Sequence, residues 1–342
     1  DAAVRPPELP DSAMAASLMD TARATWQFFA ETVTEAEHFL PPDNLQLQPD
    51  RGLAHRTSPT NIGMYLLSCL AACELGLISP SEAARRISQT VGTIEQLPRW
   101  HGLPYNWYDT TTLQVLPPAF ISTVDSGNLC ACLLCVSQGL RSMLPSLAPE
   151  DRGLSVRLDA LADEMELSRL FDPAAQLMAV GVHLPEETLT PAHYDLYASE
   201  ALLTCFLAVM RRDVPRRMFA RLSRMTGRTP SGKALLSWSG TMFEYLMPAL
   251  LLPTAPFTMM DDTLRAVIRT QARHAPKGVF GVSESGYWGF DEQMNYQYHA
   301  FGLAPLALRD QREDGVIAPY ASALCLPFSL HAAQGNLNRL RA

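Results

Sequence analysis

The sequence predicts an all-α protein, a toroid of inner and outer helices of the (α/α) barrel type, interrupted by a small β-hairpin near 105–115. Three observations predict this. Apolar residues recur at spacings of three and four along most of the 342 residues, which is the signature of amphipathic helices. The helical stretches are separated by short Pro- and Gly-containing punctuation, so consecutive helices pair as neighbours. One segment, Tyr105 to Val115, is instead aromatic and β-branched and reads as strand, turn near Asp109–Thr112, and strand. A plain helical solenoid is the competing architecture, but no repeat period supports it. In an (α/α) barrel the N-termini of the inner helices surround one cleft, and the loops at that end carry the site.

Residues 1–50 read as an arm and a leading helix. Prolines mark an arm at 5–10 and a loop at 40–49. Between them Leu18, Met19, Ala22, Trp26, Phe29 and Ala30 form one apolar stripe over Ala15 to Val33. Residues 51–342 read as the barrel domain. Ser58-Pro59-Thr60-Asn61 opens an apolar stretch from Ile62 to Leu77, a hydroxyl cap followed by an early proline. Ser79-Pro80-Ser81-Glu82 repeats that grammar and starts a helix to about Leu97. Further helices are predicted over 122–144, 151–170, 194–212, 214–226, 235–251, 261–273, 295–309 and 315–333, with a second short β-like piece around Val279–Val282.

Composition narrows the function classes. With 47% hydrophobic and 18% charged residues the chain can bury a large core, and long disorder is excluded. The balance of 27 basic and 35 acidic side chains gives −8, a poor match for nucleic acid or an anionic membrane surface. No apolar run reads as a membrane span: Ala201–Met210 is short, and Met247–Met260 is broken by Pro248, Pro253 and Pro256. The N-terminus, starting at Asp1, lacks the layout of a signal peptide. The seven cysteines sit in apolar, helix-like stretches and read as buried free thiols of a reducing, cytoplasmic compartment. Cys130, Cys132 and Cys135 do not converge on a helix, which rejects a zinc site; nothing else in the sequence requires a metal, and no cofactor is expected.

Polar chemistry concentrates in five short stretches: Tyr105–Asp109, Ser122–Leu129, Tyr194–Glu200, Ser237–Tyr245 and Ser283–Tyr298. Each mixes carboxylates, aromatics and small hydroxyls, which suits a sugar. Pyranose faces stack on Trp and Tyr, and their hydroxyl rims need Asp, Glu and Asn. Acetal cleavage needs two carboxyl groups. Glu200 lies in an apolar segment, where an unpartnered charge is costly, so it is either paired or faces a cleft. Glu244 sits in an equally apolar context, between site and structural pairing. Glu284, among Ser, Gly, Tyr287 and Trp288, is an acid/base candidate. Asp125 precedes an apolar helix and reads either as a cap or as a site residue. Asp291 and Glu292 read as solvated charges near a helix start. No nucleophile elbow, P-loop or dinucleotide fingerprint is present.

At these stretches the sequence resembles a family. RTSPTNIGMYLLS (56–68), LPYNWYDTTTLQVLPPAFISTVDSGNL (103–129), HYDLYASE (193–200), GKALLSWSGTMFEYLMP (232–248), GVSESGYWGFDEQMNYQYHAFG (281–302) and VIAPYASALCLP (316–327) are similar to the cyclization, or glycoamylase-like, domain of bacterial cyclic β-1,2-glucan synthases. The resemblance implies an (α/α)6 barrel related to β-1,2-glucanases. It implies anomer-retaining transglycosylation that closes linear β-1,2-glucan into a ring. It places the catalytic pair on Glu200, as nucleophile, and Glu284, as general acid/base, and the substrate subsites on Trp107, Tyr108, Asp109, Asp125, Asn128, Trp238, Glu244, Tyr287, Asp291, Asn295 and Tyr296. It also implies partner domains, a membrane-linked glucosyltransferase and a phosphorylase-like domain, in an inner-membrane-associated synthase. The chain departs from the family at Leu202, where Arg is usual, and at His299. It stops at Ala342 where the family continues, which suggests a fragment of a larger synthase or a shortened barrel. The alternatives are an inverting β-1,2-glucanase and a non-catalytic glucan-binding fragment. Carboxyl separation distinguishes the two enzymes, about 5–5.5 Å for retention and about 6.5–9.5 Å for inversion.

Overall fold

A computed structural model of the chain describes residues 8–143, 145, 147–275, 278–311 and 314–341. The described chain is mostly helical with small sheets. Its helices are α1 (Ser12–Thr32), α2 (Pro59–Glu74), α3 (Pro80–Ile94), α4 (Thr123–Ser142), α5 (Leu154–Glu164), α6 (Leu202–Met210), α7 (Arg217–Arg221), α8 (Met242–Leu246), α9 (Met259–His274), α10 (Tyr320–Leu324) and α11 (Leu330–Arg341). Residues Met19–Tyr194 and Leu203–Arg221 form one compact unit, and Asp1–Leu18, Asp195–Leu202 and Leu222–Ala342 form another.

In the first unit the helix starts follow from hydroxyl caps. Ser58 Oγ accepts from Asn61 N at 3.1 Å, Ser79 Oγ from Glu82 N at 3.2 Å, and Ser122 Oγ from Asp125 N at 3.2 Å, each satisfying a donor that the first turn leaves open. The mostly buried α4 packs between α2 and α5. Glycines permit this closeness. A Cβ on Gly63 would stand 2.9 Å from the Cys132 sulfur, and one on Gly139 would stand 2.5 Å from Leu70. Short strands brace the helix ends. Phe120–Ser122 pairs with Gly181–His183, and Leu177–Ala179 lies between Phe171–Asp172 and His193–Tyr194.

In the second unit α8, α9, α10 and α11 share a core that includes Tyr245, Leu246, Leu264, Val267, Ala321 and Ala333. The strand Gly232–Leu235 lies against α9, and Leu235 N donates to the buried Thr263 hydroxyl at 3.0 Å. All seven cysteines of the chain are free thiols, five of them buried.

Several expected elements are shorter than predicted or change type. The aromatic segment at 105–115 makes a turn, with Leu113 N donating to Asp109 O at 2.9 Å and Tyr108 bridging Val115, but its strand Tyr108–Asp109 pairs mainly with Arg56–Thr57. Within 194–212 only Leu202–Met210 is α-helical, within 214–226 only Arg217–Arg221, and within 235–251 only Met242–Leu246. The predicted helix over 295–309 is overturned. Tyr296–Ala300 is a strand, paired with Glu284–Phe290 in a hairpin. The alternation Tyr296, Tyr298, Ala300 has a period of two and suits the strand, but the pairing with Glu284–Phe290 is what holds the segment in that conformation.

The β-like piece at 279–282 is irregular and not part of a sheet, and side-chain amides take the place of a strand partner. Asn336 accepts from Phe280 N at 3.0 Å and donates to Phe280 O at 2.7 Å. Gln271 accepts from Val282 N at 3.0 Å and donates to Val282 O at 2.9 Å. Both amides are buried, so the backbone entering the 284–300 hairpin is held by α9 and α11 with its polar groups satisfied.

Candidate active site

Glu284, Glu244, Tyr298 and Tyr320 meet in the second unit. The loop 237–241 and the hairpin base are pressed together by glycines. A Cβ on Gly302 would lie 1.6 Å from Ser239 O, and Gly240 adopts φ 69° with no room for a side chain beside Leu303 O. Glu284 opens the strand Glu284–Phe290 and is half-buried. Its carboxylate accepts a hydrogen bond from the Tyr298 hydroxyl across the hairpin. Its main-chain oxygen accepts from the Tyr320 hydroxyl at 2.9 Å, and that hydroxyl also meets Ser283 Oγ at 3.0 Å. Ser283 Oγ in turn accepts from Phe243 N at 3.0 Å, joining the hairpin to the start of α8.

Burial raises the pKa of Glu284 above the ordinary carboxylate range, and the negative charge of Glu244 adds to the rise. The hydroxyls of Tyr298 and Thr241 oppose it by favouring the ionised form. Burial of the hydroxyl end and the charge of Glu284 push the Tyr298 phenol far up, so it stays a donor throughout the working range. Tyr320 is pushed up in the same way. Glu200 acts on both phenols too. Glu200 and Glu284 are therefore electrostatic neighbours of the same two tyrosines. Glu200 is half-buried in the turn just before α6, where Ser199 Oγ accepts from Ala201 N at 3.2 Å.

The carboxylate of Glu244 is occupied by its own loop. It accepts from Ser237 Oγ at 2.8 Å, from Thr241 N at 3.0 Å and from Ser239 N at 3.1 Å. Thr241 Oγ1 accepts from Glu244 N at 3.0 Å, completing a capping box at the start of α8. Trp238 next to it is fixed at its edge, its indole N–H donating to Asp195 at 2.9 Å, while the Arg309 guanidinium lies 5.1 Å from the ring. The Arg224 guanidinium covers Tyr197 at 4.5 Å.

On the hairpin, Asp291 and Asn295 shape the turn. Asp291 accepts from Gln293 N at 2.9 Å and Asn295 N at 2.8 Å, and the Asn295 amide donates to Asp291 at 3.0 Å. Asp291 is thus an exposed turn-former rather than a charge near a helix start. Tyr287 lies edge-on to Phe301 at 5.3 Å, and Tyr296 stacks on Phe290 at 5.4 Å.

The remaining candidates lie in the first unit. Asp125 accepts from Asn106 Nδ2 at 3.0 Å and Thr60 N at 3.4 Å; the cap of α4 is Ser122, not Asp125. The Trp107 ring lies under the Arg56 guanidinium at 5.1 Å. Asp109 is turned onto its own loop, accepting from Thr111 N and Thr112 N at 2.8 Å. Two candidates have no surface for a ligand. Tyr108 is 0% exposed, its hydroxyl donating to Pro98 O at 2.7 Å, and Asn128 is 0% exposed, donating to Thr60 Oγ1 at 3.1 Å. The motif singled out both, but core burial explains the first and helix packing the second.

Tyr298, Tyr320, Ser283 and Thr241 were not singled out from the sequence. Tyr298 carried one readable signal, since strand alternation opposite Glu284 puts it on the glutamate's face. Among the described residues no cluster of three or more His, Cys, Asp or Glu is arranged to hold a metal, and no helix is long and apolar enough to cross a membrane.

Comparison with known proteins agrees with the resemblance read from the motifs. The chain is 31% identical, over 94% of its length, to the cyclic β-(1,2)-glucan synthase NdvB of Rhizobium meliloti, of which it spans 16%. A family described only as a protein of unknown function (DUF3131) matches residues 20–121. An endo-β-1,2-glucanase from Chitinophaga pinensis, solved with sophorotriose and glucose, superposes with a TM-score of 0.77 at 16% identity, covering 98% of this chain and 83% of that one. A β-1,2-glucanase from Parabacteroides distasonis superposes with a TM-score of 0.74 at 18% identity, covering 96% of this chain and 51% of that one. The chain is similar in sequence to a cyclic β-1,2-glucan synthase and shares its fold with β-1,2-glucanases.

Proposed function

We propose that this chain is a carbohydrate-active domain that cyclizes linear β-1,2-glucan by anomer-retaining transglycosylation. One observation carries the chemical part of the reading. Glu284 is a half-buried carboxyl group whose proton is held by burial and by Glu244, while Tyr298 keeps it oriented. A carboxylic acid that keeps its proton toward neutral pH is what departure of a glycosidic oxygen needs. Glu284 gives its proton to that oxygen as the bond to the anomeric carbon breaks. Glu200 attacks the same carbon and forms a glycosyl ester. A hydroxyl from the far end of the same glucan then displaces Glu200, giving its proton to Glu284 and closing the ring. Residues 51–342 serve as an (α/α)6-barrel domain of a larger membrane-associated synthase, with glucosyltransferase and phosphorylase-like domains as partners. The identity to NdvB and the fold shared with β-1,2-glucanases support this assignment.

Inverting hydrolysis on the same scaffold is the second reading, favoured by the fold shared with an endo-β-1,2-glucanase. Incubation with linear β-1,2-glucan followed by mass analysis separates the two. A product one water lighter than the linear chain of equal length is the expected result. New reducing ends would replace cyclization by hydrolysis. Binding without turnover would leave a glucan-binding domain.

A further inference from the structure

The hairpin that carries Glu284 has an unusual distribution of aromatics. Its inner side is anchored: Tyr287 and His299 both lie edge-on to Phe301, at 5.3 Å and 4.7 Å, and Phe301 is 2% exposed. Its outer side should then be polar, as in most half-buried hairpins. Instead Trp288, Phe290 and Tyr296 form a mutually contacting trio. Trp288 lies 5.0 Å from Phe290 and 6.1 Å from Tyr296, and Phe290 stacks on Tyr296 at 5.4 Å with 29° between the rings. Trp288 is 71% exposed, Tyr298 66% and Tyr296 37%. A register shift between Tyr287 and Phe290 re-aims the outer half of the strand. The Tyr298–Glu284 hydrogen bond shows that the carboxylate shares a hairpin face with Tyr298, and strand alternation extends that face to Tyr296.

We propose that Trp288, Phe290 and Tyr296 form a glucan-holding rail, a set of stacking sites for glucose rings lying beyond the bond that is cut. The inference rests on the glucan-active reading of Glu284. Between Glu284 and Phe290 the strand extends by about 20 Å at the usual rise per residue, room for several hexose rings. The ligand chemistry follows from the rings. Exposed, mutually braced indole and phenol faces present apolar area without charge, which matches the apolar faces of pyranoses. Continuity with the carboxylate on one hairpin favours the substrate polymer over a protein partner as occupant. A polymer that must be gripped at a distance while its end finds the reaction centre needs sites of this kind, and a short oligosaccharide does not reach them.

The test is calorimetric titration of the wild-type chain and of Trp288→Ala and Trp288→Phe with linear β-1,2-glucan and with a β-1,2-linked trisaccharide. Circular dichroism checks folding, which an exposed position should not disturb. The alanine variant should bind the polymer about tenfold more weakly, the phenylalanine variant should recover part of the loss, and trisaccharide affinity should be the same in all three. Polymer should also shift tryptophan emission to shorter wavelength in the wild type, and much less in Trp288→Phe. Equal polymer affinity of wild type and Trp288→Ala overturns the rail while the glucan reading stands. Absence of polymer binding by the wild type overturns both. Loss of self-association in Trp288→Ala, with polymer affinity unchanged, makes this face a contact between copies and also overturns the rail.

Discussion

Glu284 illustrates how two opposed effects set one proton. Burial and the charge of Glu244 favour the neutral acid, whereas the Tyr298 hydroxyl, donating to the carboxylate, favours the ion. The phenol therefore limits how high the pKa rises. Tyr298→Phe removes a donor to the charged form, so the pKa of Glu284 should rise further. If Glu284 is the general acid, as proposed, the alkaline limb of kcat/KM on β-1,2-glucan should move up by about one pH unit. Tyr320→Phe, which touches Ser283 and the backbone of Glu284 rather than its carboxylate, should lower activity and leave the limb in place. An unmoved limb in Tyr298→Phe would show that the hydroxyl braces the hairpin without tuning the acid.

At the scale of elements, α8 has only five residues, too few to hold itself together by its own hydrogen bonds. Its start depends on Thr241 and Glu244, and the Glu244 carboxylate also ties down Ser237 and Ser239. Glu244→Ala should cost about 2–4 kcal/mol in denaturant unfolding, since it leaves several buried donors without an acceptor. A smaller loss, with weakened glucan binding, would make it a ligand of the substrate instead. The sequence signals differed in strength here. Ser58-Pro59 and Ser79-Pro80 announced α2 and α3 because local caps decide a helix start. The 295–309 segment misled because four of its residues, Tyr296, Tyr298, Phe301 and Leu303, fit a helix as readily as a strand. The deciding facts were non-local, namely the pairing with Glu284–Phe290 and the turn made by Asp291 and Asn295. Glu284 was legible as a carboxyl group among aromatics. Its clamp was not, because Tyr320 lies 36 residues away and Gln271 and Asn336 act through the backbone.

At the scale of the whole molecule, the two compact units differ in how their carboxylates are held. In the first unit Glu82 is kept below its ordinary range by Arg85, Glu95 by Arg157, Asp109 by the Thr111 hydroxyl, Glu166 by Arg169, and Asp172 by the Ala174 amide and His193. Asp213 runs the other way because burial raises it. In the second unit burial raises Glu8, but its hydrogen bonds to His331 outweigh this and hold it down, while Glu284 is held up. A depressed carboxylate contributes stability above its unfolded pKa and loses it as pH falls through the folded value, whereas a raised one is relieved by protonation. Acidification from pH 7 to about pH 2.5 moves into that window, first for the Glu groups and then for the Asp groups. Most of these groups lie near the surface, so each contributes little and salt should weaken the effect. Amide exchange, corrected for intrinsic rates, should therefore become several-fold faster in Met19–Tyr194 before it does so in Leu222–Ala342. Earlier loss of protection around α9 and α11 would mean that the Glu8–His331 contact, rather than the arginine pairs, governs acid stability.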